Sequence, residues 1–253
     1  MLLAFNNDEN TKNDILKRID QWVEKKKIPN SPEILVSRIL STERVFEPSD
    51  IILEDYELYP KKLGLPLWLA YLNRTIHHHN SCDFYYSHGN EYHYEFDYYK
   101  DFINSCNVGV DYSKMLYKWQ LFVLTDIVKK YKNLESLDYI IDLFSKAALN
   151  TTVSDNLWIN AQKKIEIELN KYDADSKDET WDLLRAAYLS ADEIIDIENL
   201  YTSSVEAIVD AKLKYDGFNP KKLGDDIHIK DSIWKTIMNQ LLLYLKEWNM
   251  ELS

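Results

Sequence analysis

Five glycines in 253 residues, about 2% where ordinary chains use about 7%, limit this fold more than any motif does. Proline is as uneven. Pro29, Pro32, Pro48, Pro60 and Pro66 all precede position 67, Pro220 stands alone, and residues 67–219 contain none. A sheet-rich fold reverses direction roughly every 8–12 residues and draws on these residues to do so. Phosphate cradles need clustered glycines for close backbone approach, and none is present. The composition therefore predicts an all-α chain, a multi-helix bundle or irregular helical array, and excludes a nucleotide-binding α/β enzyme.

Helical periodicity fills that outline. Thr11-Lys-Asn-Asp14 reads as a capping box opening a helix whose apolar face is Ile15, Leu16, Ile19, Trp22 and Val23, ending near Lys25–Lys27. Ser31-Pro32-Glu33 opens a short helix to Leu40, residues 41–65 are irregular, and Pro66 begins the next helix over Leu67, Trp68, Leu72 and Ile76. Phe96, Tyr99, Phe102 and Ile103 continue at helical spacing to a break at Asn107-Val-Gly109. Asp111 or Ser113 then caps a long helix from Met115 to Tyr131. Further stripes begin at Leu137, Leu157, Trp181, Ile208 and Ile229, two of them behind capping boxes at Ser176–Glu179 and Ser203–Glu206. The total is about nine or ten helices in a single domain, 1–253, with an internal division at 132/133 suggested by charge. PKKLG occurs at Pro60 and again at Pro220, but the flanking residues differ, so this is not a repeat architecture.

The formal net charge is −12, and residues 133–216 hold 18 acidic against 8 basic side chains, a local net of −10. Phosphate is repelled by such a stretch and a basic protein is drawn to it, so a protein partner is expected and nucleic acid is not. The first residues, MLLAFNNDENTKND, lack a basic n-region and an apolar h-region, no apolar run reaches the ~18–20 residues of a membrane span, and two cysteines cannot make a disulfide framework. The expectation is a cytoplasmic protein with no membrane segment and no cofactor.

Several segments also occur in a familiar order. Ala4-Phe5-Asn6 stands at the start of an expected N-terminal helix; Leu63-Gly64-Leu65-Pro66 leads to Leu69-Ala70-Tyr71-Leu72; Asp101-Phe102-Ile103 precedes Val108-Gly109-Val110-Asp111-Tyr112-Ser113; and Ala186-Ala187 to Ala211 precedes a Leu-rich terminal helix. This order resembles a family of all-helical bacterial and phage-associated proteins described as immunity proteins of toxin–antitoxin-like competition systems. Its members carry LGIP-like and IPVGaDLS-like motifs and an alanine-rich tail. The chain departs from the pattern in having no Gly- or Cys-rich segment over Ser31–Glu57 and fewer alanines in its tail. The resemblance implies a helical binding protein that neutralises a toxin domain, which the acidic stretch predicts to be a basic one, and it supplies no catalytic residues.

Three sets of residues are candidates for function. The acidic helices offer Glu166, Glu168, Asp178, Glu179, Asp182, Asp192, Glu193 and Asp196 as solvent-facing partner contacts. A Tyr/His-rich segment adds Tyr85, Tyr86 and Tyr92 as recognition residues. The same segment contains His79, Asp83, His88 and His93, ligand types for a transition metal. Among these only His79 and Asp83 share a helical face, so an exposed Tyr/His surface is the better reading. Arg74-Thr-Ile-His-His-His79 matches the R-x4-H arrangement of all-α ribonucleases of the HEPN class, with Arg74 to steady phosphate and His79 as acid–base group. Three adjacent histidines make that match easy, and no basic tract accompanies it. The leading expectation is a non-enzymatic binding protein, with the ribonuclease and the metal protein as alternatives.

Overall fold

Wherever the chain is described, apolar residues recur at helical spacing and no segment alternates with the period of two that a strand requires. The computed structural model describes residues 2–24, 59–73, 75–76, 94–131, 134–174, 178–196, 203–218 and 227–248, and among them there is no strand. The all-α expectation is met. The chain divides by contact into two units, Met1–Ser113 with Trp234–Ser253, and Lys114–Ile233. The charge boundary at 132/133 lies inside the second unit.

The first unit contains helix α1 (Glu9–Glu24), a π-type turn at Tyr59–Leu63, α2 (helical at 67–73 and 75–76) and α3 (Tyr94–Ser105). It also takes the part of α9 (Ile227–Glu247) from Trp234 onward. Asp8, not Thr11, caps α1. Its carboxylate accepts the Asn10 N–H at 3.0 Å and the Thr11 hydroxyl at 3.0 Å, and these bonds hold its pKa below the ordinary carboxylate value. Aspartate at this position satisfies an orphan amide as well as any hydroxyl, so the capping-box reading placed the start of the helix too late. The helix expected over Ser31–Leu40 lies outside the described residues.

Ahead of α1, Ala4–Asn7 is no conventional helix. Phe5, Asn6 and Asn7 have φ of 55°, 53° and 59°, three consecutive left-handed residues without a glycine. Each costs about 1–2 kcal/mol by the clash of Cβ with the following carbonyl, and buried contacts offset that cost. Ala4 and Phe5 are fully buried, the Ala4 N–H donates to Val110 O and the Gly109 N–H donates to Ala4 O, both at 2.9 Å, and Asn6 Nδ2 donates to Lys62 O at 2.9 Å. Two glycines make room. At Gly64, φ +61°, an added Cβ would lie 2.0 Å from the Leu3 carbonyl oxygen; at Gly109, φ +78°, it would lie 2.4 Å from Asn7 Oδ1. The two Gly-bearing motifs of the sequence thus hold residues 3–7 between them.

Polar groups inside this unit are tied to one another. Buried Asn73 donates through Nδ2 to Tyr59 Oη at 3.1 Å and accepts from Tyr98 Oη. Tyr112 Oη accepts the Asn107 N–H at 2.7 Å and donates to Leu245 O at 3.2 Å, while Trp248 Nε1 donates to Asp111 O at 2.9 Å. Leu245 O belongs to the last turn of α9, where carbonyls have no intrahelical partner. Lys12 Nζ does the same for α3, reaching Asn104 O at 3.2 Å and Cys106 O at 2.8 Å.

The second unit opens with α4, which is α-helical at Met115–Phe122, π-helical at Val123–Val128 and α-helical again at Lys129–Tyr131. Asp111 accepts the Ser113 N–H at 2.9 Å just before it. The periodicity shows one long helix here but not its π turn, whose extra residue leaves the apolar spacing nearly unchanged. Then follow α5 (Glu135–Ala148), α6 (Asp155–Leu169), α7 (Thr180–Ile195) and α8 (Ser204–Tyr215). The predicted box at Ser203–Glu206 is present: Ser203 Oγ accepts the Glu206 N–H at 3.2 Å and Glu206 accepts the Ser203 N–H at 3.0 Å. Trp158 packs its ring 4.7 Å from Phe144 and stacks at 6.4 Å on Tyr117.

Helix α7 is the centre of this unit, packed on α6 and α8 along its length and touched by α5 and the π turn. Ala186, Ala187, Ser190 and Ala191 are buried on it, and such small side chains let neighbouring helices come close. Replacing Gly64 or Gly109 by alanine should cost the ~1–2 kcal/mol of a left-handed L residue in each case. Gly64→Ala should lose clearly more, because it meets a backbone carbonyl while Gly109→Ala meets the end of a side chain. Equal losses in urea unfolding would contradict this account of the N-terminal turn.

Candidate functional site

The side chains of α7 that reach solvent make one seam. Trp181, Arg185, Tyr188 and Asp192, spaced four, three and four residues apart, are half-buried, while most residues between them are buried. The Arg185 guanidinium lies 5.4 Å from the Trp181 ring centre, a cation–π distance. Gln162 of α6 donates to Asp192 Oδ1 at 2.7 Å. The Tyr188 phenol is held above its ordinary pKa, first by burial and then by the charges of Asp192 and Glu166. Carboxylates from α6 and α7 therefore both act electrostatically on one tyrosine. Exposed Asp196 continues the edge, its N–H donating to Asp192 O at 2.8 Å.

Of the eight predicted acidic contacts, the fold gathers Glu166, Asp192 and Asp196. Glu168, two residues beyond Glu166, points about 200° around α6 from it and is half-buried. Asp178 and half-buried Glu179 stand at the other end of α7, ~20 Å along the axis from Asp192. There the Asp178 carboxylate accepts the Thr180 N–H at 2.7 Å as well as its hydroxyl. Ser176, the residue expected to cap this helix, lies outside the described residues.

Two of the eight are corrections. Asp182 is 3% exposed and Glu193 9% exposed, so neither faces solvent. The acidic composition of α7 resembles a surface helix, but α6, α8 and the π turn of α4 cover it. Asp182 forms an ion pair with Lys214 of α8 at 2.6 Å, and Lys214 Nζ also reaches Ala174 O at 3.3 Å. Nearby Asp210 is held above the ordinary carboxylate range by burial and by Asp182, with Arg185 and Lys230 pulling the other way.

Glu193 sits in a separate buried group. Its Oε1 accepts the Ser204 N–H at 2.7 Å, its Oε2 accepts from Gln120 Nε2 of α4, and Ser204 Oγ donates to Gln120 Oε1 at 3.3 Å. Burial pushes the Glu193 carboxyl up to about 7 against the pull of those donors. The sequence reading missed Gln120, Ser204, Lys214, Arg185 and Tyr188. Gln120 did carry a signal, since it is a lone amide in the apolar run from Met115 to Leu124.

Arg74, His79, Asp83, His88, His93, Tyr85, Tyr86 and Tyr92 lie outside the described residues. Among those described, no three His, Cys, Asp or Glu side chains are grouped to hold a metal, and no helix is long and apolar enough to cross a membrane. Cys106 is buried and its thiol is pushed far above the ordinary value by burial. No protein-family model matches the chain, and no curated protein or solved structure matches it.

Glu193 links stability to pH. Folded, it keeps its proton to about 7; its ordinary value is 4.5. Between those values the folded chain binds the extra proton, so unfolding free energy falls as pH rises, by about 3 kcal/mol over the window. Chemical denaturation at pH 5 and pH 8 should show this fall in the wild type and a smaller one in Glu193→Gln. Identical pH slopes in the two proteins would rule out the linkage.

Proposed function

We propose that this chain is a non-enzymatic protein-binding module of the cytoplasm, an immunity-type protein that docks on a basic effector and neutralises it by covering its working surface. The observation that carries the reading is the acidic edge where Gln162 of α6 holds Asp192 of α7 and the charges of Glu166 and Asp192 both act on the half-buried Tyr188. Trp181 and Arg185 continue the same seam. Trp, Tyr and Arg are the residues that most often anchor protein interfaces, because each covers much area and carries a polar tip. A carboxylate edge beside them steers a cationic partner and sets its orientation. The net of −10 over residues 133–216 extends that attraction beyond contact distance. The order of short motifs shared with helical immunity proteins supports the same assignment.

The test uses the purified product of the gene adjacent to this one, titrated against the full chain. Glu166→Lys/Asp192→Lys/Asp196→Lys should slow association by about tenfold or more at low salt and flatten its salt dependence. Asp138→Lys reverses an exposed acid of α5 that pairs with Lys129 at 2.8 Å, and it should leave the rate nearly unchanged. A triple variant that binds like the wild type would remove the seam from the interface.

A further inference from the structure

The buried group formed by Glu193, Gln120 and Ser204 has a property that neither the docking seam nor the stability of the core requires. Its three residues come from α7, α4 and α8, and every polar atom of the three side chains is engaged with another member of the group or its backbone. As it stands, the arrangement suits a carboxylate: two N–H donors face its two oxygens, and one of them is the first amide of α8, at the positive end of that helix. A neutral carboxylic acid must donate instead of only accepting. The partner able to take that hydrogen bond is the Gln120 amide, after a half-turn. Oε1 then accepts from Glu193, and Nε2 donates to Ser204 Oγ, which accepts as readily as it donates. Every polar heavy atom that links the three side chains thus keeps a partner in both protonation states, with almost the same heavy-atom positions.

We propose that Glu193, Gln120 and Ser204 form a proton-operated latch, in which rotation of the Gln120 amide exchanges a charged tie between α7 and the start of α8 for a neutral one. Opposing influences act on the carboxyl, and burial outweighs the rest. The helix end and the two donors favour the anion; burial and the adjacent Asp192 favour the acid. From α4 the facing group is Gln120 and from α8 it is Ser204, neither charged. Glu206, at the same end of α8, is engaged with the Ser203 N–H. Of α5 and α6, which also pack on α7, α6 directs Gln162 to Asp192, and the charge of its Glu166 acts on Tyr188. The excess of burial over the donors pushes the carboxyl up to about 7, where a modest change of pH alters the occupancy of both states. The π turn starting three residues after Gln120 is the kind of irregularity that helices retain near working groups.

The experiment is a pH titration of the isotopically labelled full chain by nuclear magnetic resonance between pH 5 and pH 9. The Glu193 carboxyl carbon should titrate with a midpoint near 7, and the Gln120 side-chain amide nitrogen and the Ser204 N–H should move with the same midpoint. In Glu193→Gln both reporters should stay flat, which separates them from histidines that titrate in the same range. A Glu193 midpoint near 4.5 would overturn the latch, and so would a Gln120 amide that does not move while Glu193 titrates. If the variant does not fold, the wild-type titration by itself still decides between these outcomes.

Discussion

Burying a carboxylate is costly unless a partner is buried with it, and the second unit is organised around meeting that condition twice on one helix. Helix α7 can be covered on most sides because Asp182 pairs with Lys214 and Glu193 accepts from Ser204 and Gln120. Both arrangements join α7 to α8, one near the start of α7 and one near its end. The apolar contacts of Leu183, Leu184, Ala186 and Ala187 set the distance between helices. The polar pairs set their register, since a shift of one residue would leave a buried charge unmatched.

The first unit solves a different problem by related means. Its N-terminal turn is held in a left-handed conformation that L residues disfavour, and it persists because buried Phe5, three hydrogen bonds and two glycines hold it there. Asn73, Tyr59 and Tyr98 hydrogen-bond one another in the interior, and burial pushes the Tyr98 hydroxyl well above its ordinary pKa. Tyr112 and Trp248 join the turn after α3 to the end of α9. In both units, these polar side chains satisfy backbone groups or each other and leave apolar surface to supply the cohesion.

Acidic residues in this chain serve two ends, and counting charge does not separate them. Asp182 and Glu193 are structural, whereas Glu166, Asp192 and Asp196 form an edge beside Tyr188. Glu166 and Glu168 illustrate the point: two positions apart in sequence, they point to opposite sides of α6. A net of −10 therefore includes two interior acids, Asp182 and Glu193, that composition does not separate from the exposed ones.

Much of the architecture is legible in the sequence. Scarce glycine and proline, with apolar residues recurring at three and four, specify helices because both are local properties of the backbone and its side-chain spacing. The box at Ser203–Glu206 and the break at Asn107–Gly109 follow from the same local rules. The cap of α1 is misplaced by pattern alone because Asp8 and Thr11 are both good caps and only the backbone shows which amide is left unsatisfied. Solvent exposure is not local. Whether Asp192 or Glu193 faces outward depends on which helices lie against α7, a matter of contacts between residues far apart in sequence. Sequence alone determined that the chain is helical and where most helices lie; tertiary packing decided which acids are interior partners and which reach the surface, because desolvation is imposed by neighbours and not by the residue itself.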